Sequence, residues 1–474
     1  MDDGRKKQGL VITNSLTGKK EPFQPIHPPQ VRMYVCGPTV YDDPHIGHIR
    51  GAFVFDMIRK YLRHKKFEVK FIRNVTDIDD KIIEKARSEE SEENLKQACE
   101  RVTLKYTNAY HGALEKLAID PPDEEPKATE QIPKMIEMIQ HLIGKGMAYA
   151  AEGNVYLSVN RFKEYGKLSH QNPEQLIKGH RMEPGPGKKD PLDFALWKNA
   201  KEDEPWWESP WGRGRPGWHI ECSVMSQAGF GETLDIHGGG IDLVFPHHEN
   251  EIAQSEAAWE KPFASYWLHN GLLTVEGQKM SKSVGNVVGV KEILEKGYHP
   301  DDLKFFFLRS HYRSPVDFSW QRLNDAKQNR ISFEIFFTRC EQSLAERNVQ
   351  LTDDVLKSKE RFESAMDDDF NTPRALAVLF EMLQCGYIYL ASGKISGALE
   401  IKEELRELKE ILGLSPTPQH FGNLPSAVKT LIAKRDELRK AKDFQAADRI
   451  RKQLDEMGYI IEDGKKDSTW RTKQ

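Results

Sequence analysis

The sequence is short of net charge, of cysteine and of long apolar runs, and it has no Gly-x-x-x-x-Gly-Lys-Ser/Thr phosphate loop. Each shortage excludes something. A formal net charge of −4 over 474 residues means that a nucleic-acid partner must be held by local basic patches, not by a global field. Five cysteines, widely spaced at Cys36, Cys99, Cys222, Cys340 and Cys385, argue against a disulfide framework and for a reducing cytoplasm. No unbroken run of about 18 apolar residues occurs, so no membrane span is expected. Met1 to Lys7 lack the apolar core of a secretory signal. A His-Glu-x-x-His string is also missing, which disfavours hydrolytic zinc chemistry.

What is present suffices for several cores: 38% hydrophobic and 30% charged residues, in a length that suggests three or four domains. Val31–Cys36 alternates like a short strand closed by Gly37-Pro38, His45–Arg63 has helical apolar spacing, and Phe67–Val75 reads as a second strand. Strand, helix, strand is the pattern of a parallel α/β sheet, whose ligands lie beyond the carboxyl ends of its strands. The spacing then predicts helix over Ala86–Leu117, a proline-rich break, and an insertion with one helix and a strand at Asn154–Val159. The sheet is expected to resume at Gly217–Cys222 and Leu234–Gly240, and the chain to be helical beyond Leu303. The fold class is therefore α/β: a Rossmann-like parallel-sheet domain (1–130 and 205–270) split by an insertion (131–204). A region 271–325 follows, then all-α segments 326–412 and 413–474.

Two short strings carry the chemistry. In Pro44-His45-Ile46-Gly47-His48, two histidines three apart share a helix face, and Gly47 removes a side chain that would hold a base or phosphate off the backbone. A helix N-terminus there offers free N–H groups to an anion. Alone, the string is as often surface decoration. Lys279-Met280-Ser281-Lys282-Ser283, flanked by Gly277 and Gly285, is a cationic loop suited to the charge that gathers during nucleotidyl transfer. Separately, Cys36, Cys222 and Glu251 with His247 or His248, four or three residues before it, are zinc-ligand types. A single cysteine is more often a small buried hydrophobe, the reading given to Cys99, Cys340 and Cys385.

Both strings in this order resemble the class I aminoacyl-tRNA synthetases. The runs Asn74–Lys81, Asp190–Lys198, Gly214–Ser223, Asp235–Glu251 and Met366–Pro373 are similar to the bacterial-type cysteinyl-tRNA synthetases, a resemblance reaching from about Val31 to Arg471. It implies an enzyme that activates L-cysteine with ATP and Mg2+ and transfers it to tRNA(Cys), with no membrane role and as a monomer. It implies catalytic roles for His45, His48, Lys279 and Lys282, and ATP contacts from Gly47, Gly239, Asp242 and Lys282. Gly37, Thr76, Trp218, His219 and His237 would bind or flank the amino acid. It favours His247 over His248 in a Cys36, Cys222, His247, Glu251 set for one Zn2+ that receives the substrate thiolate. Residues 271–325 become a tRNA stem-contact region, 326–412 a tRNA-binding domain, and 413–474 an anticodon reader whose tail, Lys465–Lys473, offers Trp470 for base stacking. Two rivals stand beside this: a ligase joining cysteine to a small amine, and a non-catalytic zinc protein that binds tRNA as a regulator.

Overall fold

The computed structural model describes residues 9–89, 94–171, 187–231, 233–280, 284–342, 353–415, 426–463 and 468–472. The chain forms two units. The first holds residues up to 292 with 310–318 and 367–371, and the second holds 293–309, 319–366 and 372–474.

In the first unit an antiparallel hairpin, β1 (Val11–Asn14) and β2 (Lys19–Pro22), precedes β3 (Gln30–Val35), α1 (Ile46–His64) and β4 (Glu68–Arg73). β3 and β4 pair in parallel from Gln30↔Glu68 to Val35↔Arg73, so the expected strand–helix–strand opening is present. α1 starts where it does because His45, in extended backbone, accepts the Gly47 and His48 N–H groups, a task usually given to Ser or Asp. Its Ile46, Ile49, Phe53, Met57 and Tyr61 recur at helical spacing and are all buried.

The helix expected over Ala86–Leu117 is two helices, α2 (Asp80–Ser88) and α3 (Leu95–Lys116), each with its own cap, Asp79 and Asn94. The insertion contains α4 (Ile132–Gly144) and an antiparallel sheet of β5 (Ala148–Ala151), β6 (Asn154–Leu157), β7 (Phe194–Asn199) and β8 (Gly214–Pro216). This sheet continues past residue 204, where the sequence suggested that the insertion ends.

The main correction follows directly. Gly217–Cys222, expected as a strand, opens a helix, α5 (Trp218–Phe230). Ile220 through Ser226 are buried without interruption, so no polar stripe marks the helical period. Cys222 therefore sits on a helix rather than at a strand end. β9 (Leu234–Gly240) does rejoin the sheet beside β3. α6 (Glu249–Trp259) and β10 (Ala264–Asn270) follow, giving the all-parallel order β10-β9-β3-β4. A small sheet of β11 (Leu273–Val275), β12 (Gln278–Lys279) and β13 (Val316–Phe318) completes the unit.

The second unit is mainly helical, with Pro300–Leu308, Trp320–Gln342, Thr372–Ala391, Ile395–Ile411, Ser426–Lys440 and Phe444–Glu456 among its helices. A terminal hairpin, Tyr459–Asp463 with Ser468–Thr472, departs from the all-α expectation. Thr372–Ala391 is long and apolar enough to cross a membrane by length and composition. Its Leu376, Leu379, Met382 and Leu383 are buried and the helix packs on Ile395–Ile411, the arrangement of a core helix.

Candidate active site and metal centre

A cavity of 390 Å³ opens at the carboxyl ends of β3 and β9, the place where parallel sheets bind ligands. Of the residues singled out from sequence, Cys36, Gly37, His45, Gly47, His48, Thr76, Trp218, Cys222, Gly239, Asp242, His247 and Lys279 line it. His237 and Glu251 are buried in contact with Cys36, and His219 touches His247. Ser281, Lys282 and Ser283 lie outside the described residues, as do Lys465, Lys466, Asp467 and Lys473 of the basic tail.

The histidine pair has a defined tautomer. His45 Nδ1 accepts the Gly47 N–H at 3.1 Å and the His48 N–H at 3.4 Å. The neutral ring must then carry its proton on Nε2, which is left as a donor. The two rings stack at 3.6 Å between centroids. Burial lowers the pKa of His45; burial, with the charges of His45 and Lys81, lowers that of His48 to about 3. Both are neutral donors at neutral pH. A Cβ on Gly47 would lie 2.9 Å from the His45 ring and 3.1 Å from the Met280 methyl, so only glycine leaves this approach open. The chain also returns here: Ile46 N–H donates to Val288 O at 3.0 Å, and His45 bridges to Gly289. Lys279, expected in a loop, ends the short strand β12 and is exposed.

At the other end of the cavity, the ligand atoms of Cys36, Cys222, His247 and Glu251 lie within 4.8 Å of one another. The two Sγ atoms are 3.5 Å apart, too long for a disulfide. That spacing is close to the ~3.7 Å edge of a tetrahedron with ~2.3 Å zinc–sulfur bonds. His247 Nε2 stands 3.0 Å from Glu251 Oε1, whereas His248 Nε2 stands 3.9 Å away. His237 and His248 form a second set with Cys36 and Glu251. Two thiols, an imidazole and a carboxylate suit zinc, and the buried Glu251 Oε2 has only a 3.3 Å ion-pair contact with His237 Nε2.

The electrostatics of the cluster are those of a cation site. Burial opposes ionisation of Cys222, but hydrogen bonds from Cys36 and His247 bring it down to about 6. Burial and the hydrogen bond with Cys222 push the Cys36 thiol up. Burial disfavours a charged His247, yet Glu251 and Cys222 raise it to about 10. Glu251 itself, despite burial, is held well below the carboxylate range by His237 and His247.

Several contributing residues were not singled out in the sequence. Asn74 Oδ1 accepts the Gly37 N–H at 2.9 Å, and Thr76 donates to Glu221 at 2.8 Å. Tyr34 stacks on His237, and His248 shares a hydrogen bond with His269 at 2.8 Å. Asn74 and Glu221 fall inside the runs that carried the family resemblance; Tyr34 and His269 have no comparable signal.

A Mycobacterium tuberculosis methionyl-tRNA synthetase structure is similar in fold, with a TM-score of 0.60 and 15% identity over 82% of this chain and 92% of that one. The class defined by this fold, with His45, His48 and Lys279 on one cavity and both strings in the sequence, is the class I aminoacyl-tRNA synthetases. A family model for the class I (C) catalytic domain matches residues 22–328, one for the DALR domain matches 361–415, and one for the cysteinyl-tRNA ligase anticodon binding domain matches 422–471. The cysteine–tRNA ligase of Persephonella marina is 47% identical over 98% of this chain and all of its own length; that of Pseudomonas aeruginosa is 48% identical over 98% and 99%. The chain belongs to the cysteine–tRNA ligase family.

Proposed function

We propose that the chain joins L-cysteine and ATP into cysteinyl adenylate with release of pyrophosphate, then passes the cysteinyl group to the 3′ end of tRNA(Cys) in the cytoplasm. The observation that carries the reading is one cavity with a thiol-rich donor cluster at one end and a neutral histidine pair at the other. The cysteine carboxylate oxygen attacks the α-phosphorus as the bond to pyrophosphate breaks. This carboxylate is already ionised, so the step needs no general base. Later a ribose hydroxyl attacks the carbonyl and AMP leaves.

In this reading His45 Nε2–H and His48 donate to phosphate oxygens, and Lys279 and Lys282 offset the charge that develops there. Gly47 and Gly239 allow close approach of the nucleotide, Asp242 accepts from ribose hydroxyls, and Mg2+ accompanies ATP. Gly37, Thr76, Trp218, His219 and His237 shape the amino-acid end. Cys36, Cys222, His247 and Glu251 would hold one zinc, which supplies a soft Lewis acid able to keep the substrate sulfur as thiolate. The anticodon-domain match weighs against the amine-ligase rival, and two intact strings weigh against a non-catalytic regulator.

Cysteine-dependent ATP–pyrophosphate exchange, with and without tRNA charging, tests the whole reading. Purified protein should carry about one zinc per chain; Cys222→Ser should lose most of it and Cys385→Ser none, and retention by both would defeat the ligand assignment. Serine should be rejected at activation by about 10⁴-fold, beyond the ~10–200-fold that pocket shape alone gives between close analogues. Ready serine activation followed by enzymatic hydrolysis of seryl-tRNA would contradict this.

A further inference from the structure

Arg50, on the second turn of α1, is only 1% exposed, yet no carboxylate pairs with it among the described residues. Its guanidinium donates instead to four backbone carbonyls. One nitrogen reaches Gly271 O at 2.5 Å and Leu272 O at 3.0 Å; the other reaches Tyr312 O at 3.2 Å and Ser314 O at 2.7 Å. Burial lowers its pKa to about 10, which still leaves it a cation at neutral pH.

These carbonyls have a common position. Gly271 and Leu272 lead into β11, while Tyr312 and Ser314 lead into β13, the parallel partner of β11. The two segments touch: Gly271 N–H donates to Tyr312 O at 2.8 Å, Val316 N–H donates to Leu272 O at 2.8 Å, and a Cβ on Gly271 would meet Ser314 O at 2.3 Å. On its other side β11 pairs with β12, where Thr274 faces Lys279. One planar fork thus grips the roots of β11 and β13, two of the three strands of the sheet that carries Lys279, from the same helix whose start carries His45 and His48.

A buried cation without an acid partner is costly to keep, and four carbonyl dipoles only partly replace its hydration. A purely structural clamp would be cheaper with a carboxylate beside it or with no charge. Gly271 and Leu272, two of the four acceptors, line the cavity that holds the histidine pair. Through these two residues the uncompensated charge backs the wall of that cavity.

We infer that Arg50 is a positioning residue for adenylate formation: its fork fixes the β11–β12 hairpin to the helix of the histidine pair, and its unpaired charge favours the nucleotide polyanion. The inference rests on the adenylate-forming reading above. Arg50→Lys keeps the charge and loses the fork; Arg50→Met loses both and roughly keeps the volume. Pyrophosphate exchange by both variants should fall by about 10²-fold in kcat, the scale of a small misplacement remote from the chemistry. The KM for ATP should rise in Arg50→Met and return toward the wild-type value in Arg50→Lys, with zinc content and cysteine binding unchanged. Full kcat in Arg50→Lys, or equal effects on cysteine and ATP, would overturn the inference. Asp317→Ala gives a route outside the core. The Asp317 carboxylate accepts from Thr274 Oγ1 at 2.8 Å and from the Gly277 N–H at 2.6 Å, so its loss loosens the same hairpin. It should lower kcat with the KM for ATP unchanged; wild-type kcat there would also overturn the inference. Absence of exchange in the wild-type protein would instead defeat the underlying reading.

Discussion

A histidine pair, His45 and His48, and a single histidine, His247, face one cavity and are driven to opposite charge states. His45 and His48 stack on each other, and burial keeps both rings neutral, outweighing the charge of Asp242 on His45. His247 is more deeply buried, yet Glu251 and Cys222 beside it hold a proton on the ring up to about 10. Burial alone therefore does not set the charge of His247; the carboxylate and thiol in contact with it do. The neutral pair is fitted to donate hydrogen bonds to a polyanion without competing for protons. The charged one waits in a cluster where a metal cation can take the proton's place.

The sharpest way to break the contrast is to remove the anion. Glu251→Gln should leave a buried imidazolium and thiolate without their partner and lower the unfolding free energy by about 3–5 kcal/mol. Zinc content by mass spectrometry should fall well below one per chain, and a stable, fully loaded variant would show that Glu251 does not organise the cluster. Next in size is His45→Ala, which removes both the cap acceptor and the Nε2 donor. Exchange turnover should drop by about 10²–10³-fold, with ~1 kcal/mol of stability lost at the helix start. His45→Asn should restore the stability, since asparagine caps well, and leave turnover low; recovery of both would mean that capping is the whole of its role.

The smallest effect is one of pH. His48 titrates near 3 in the folded chain and near 6.5 unfolded. The unfolded state takes up the extra proton first, so this contribution to stability is complete above pH 6.5 and is lost as pH falls toward 3. The slope is ~1.4 kcal/mol per pH unit within that window. Urea unfolding at pH 7.0, 6.0 and 5.0 should show wild type losing stability faster than His48→Gln, and parallel curves would place His48 in a wetter environment than its packing implies.

Much of this was legible in the sequence because the signals were local. The strand–helix–strand opening follows from alternation and helical spacing within Val31–Val75, and the His45 string marks the helix start. What failed depended on burial from afar. Gly217–Cys222 read as strand because both sides of α5 are covered and no polar face remained. β10 is buried except at Ser265 and Tyr266, so it shows no alternation, and it went unread. Spacing could not choose between His247 and His248, since the difference is which ring turns toward Glu251. Arg50 looked like one more polar residue on a helix, because its partners are backbone carbonyls more than two hundred residues away.

That distance has a consequence in time. β3 finds its sheet partner β9 only across a long stretch of chain, with Arg32 N–H donating to Asp235, 203 residues on. At ~5–20 residues per second of synthesis, Cys36 leaves the ribosome roughly 10–40 s before its partners exist. Meanwhile one edge of β3 stays open, an edge that invites wrong pairing until β9 covers it. Cys222, His247 and Glu251 then emerge close together, and the cluster can close only when β9 docks on β3. The thiol–imidazole–carboxylate cluster is thus a late event in the birth of the chain, and a metal bound there would report that the two halves of the sheet have met.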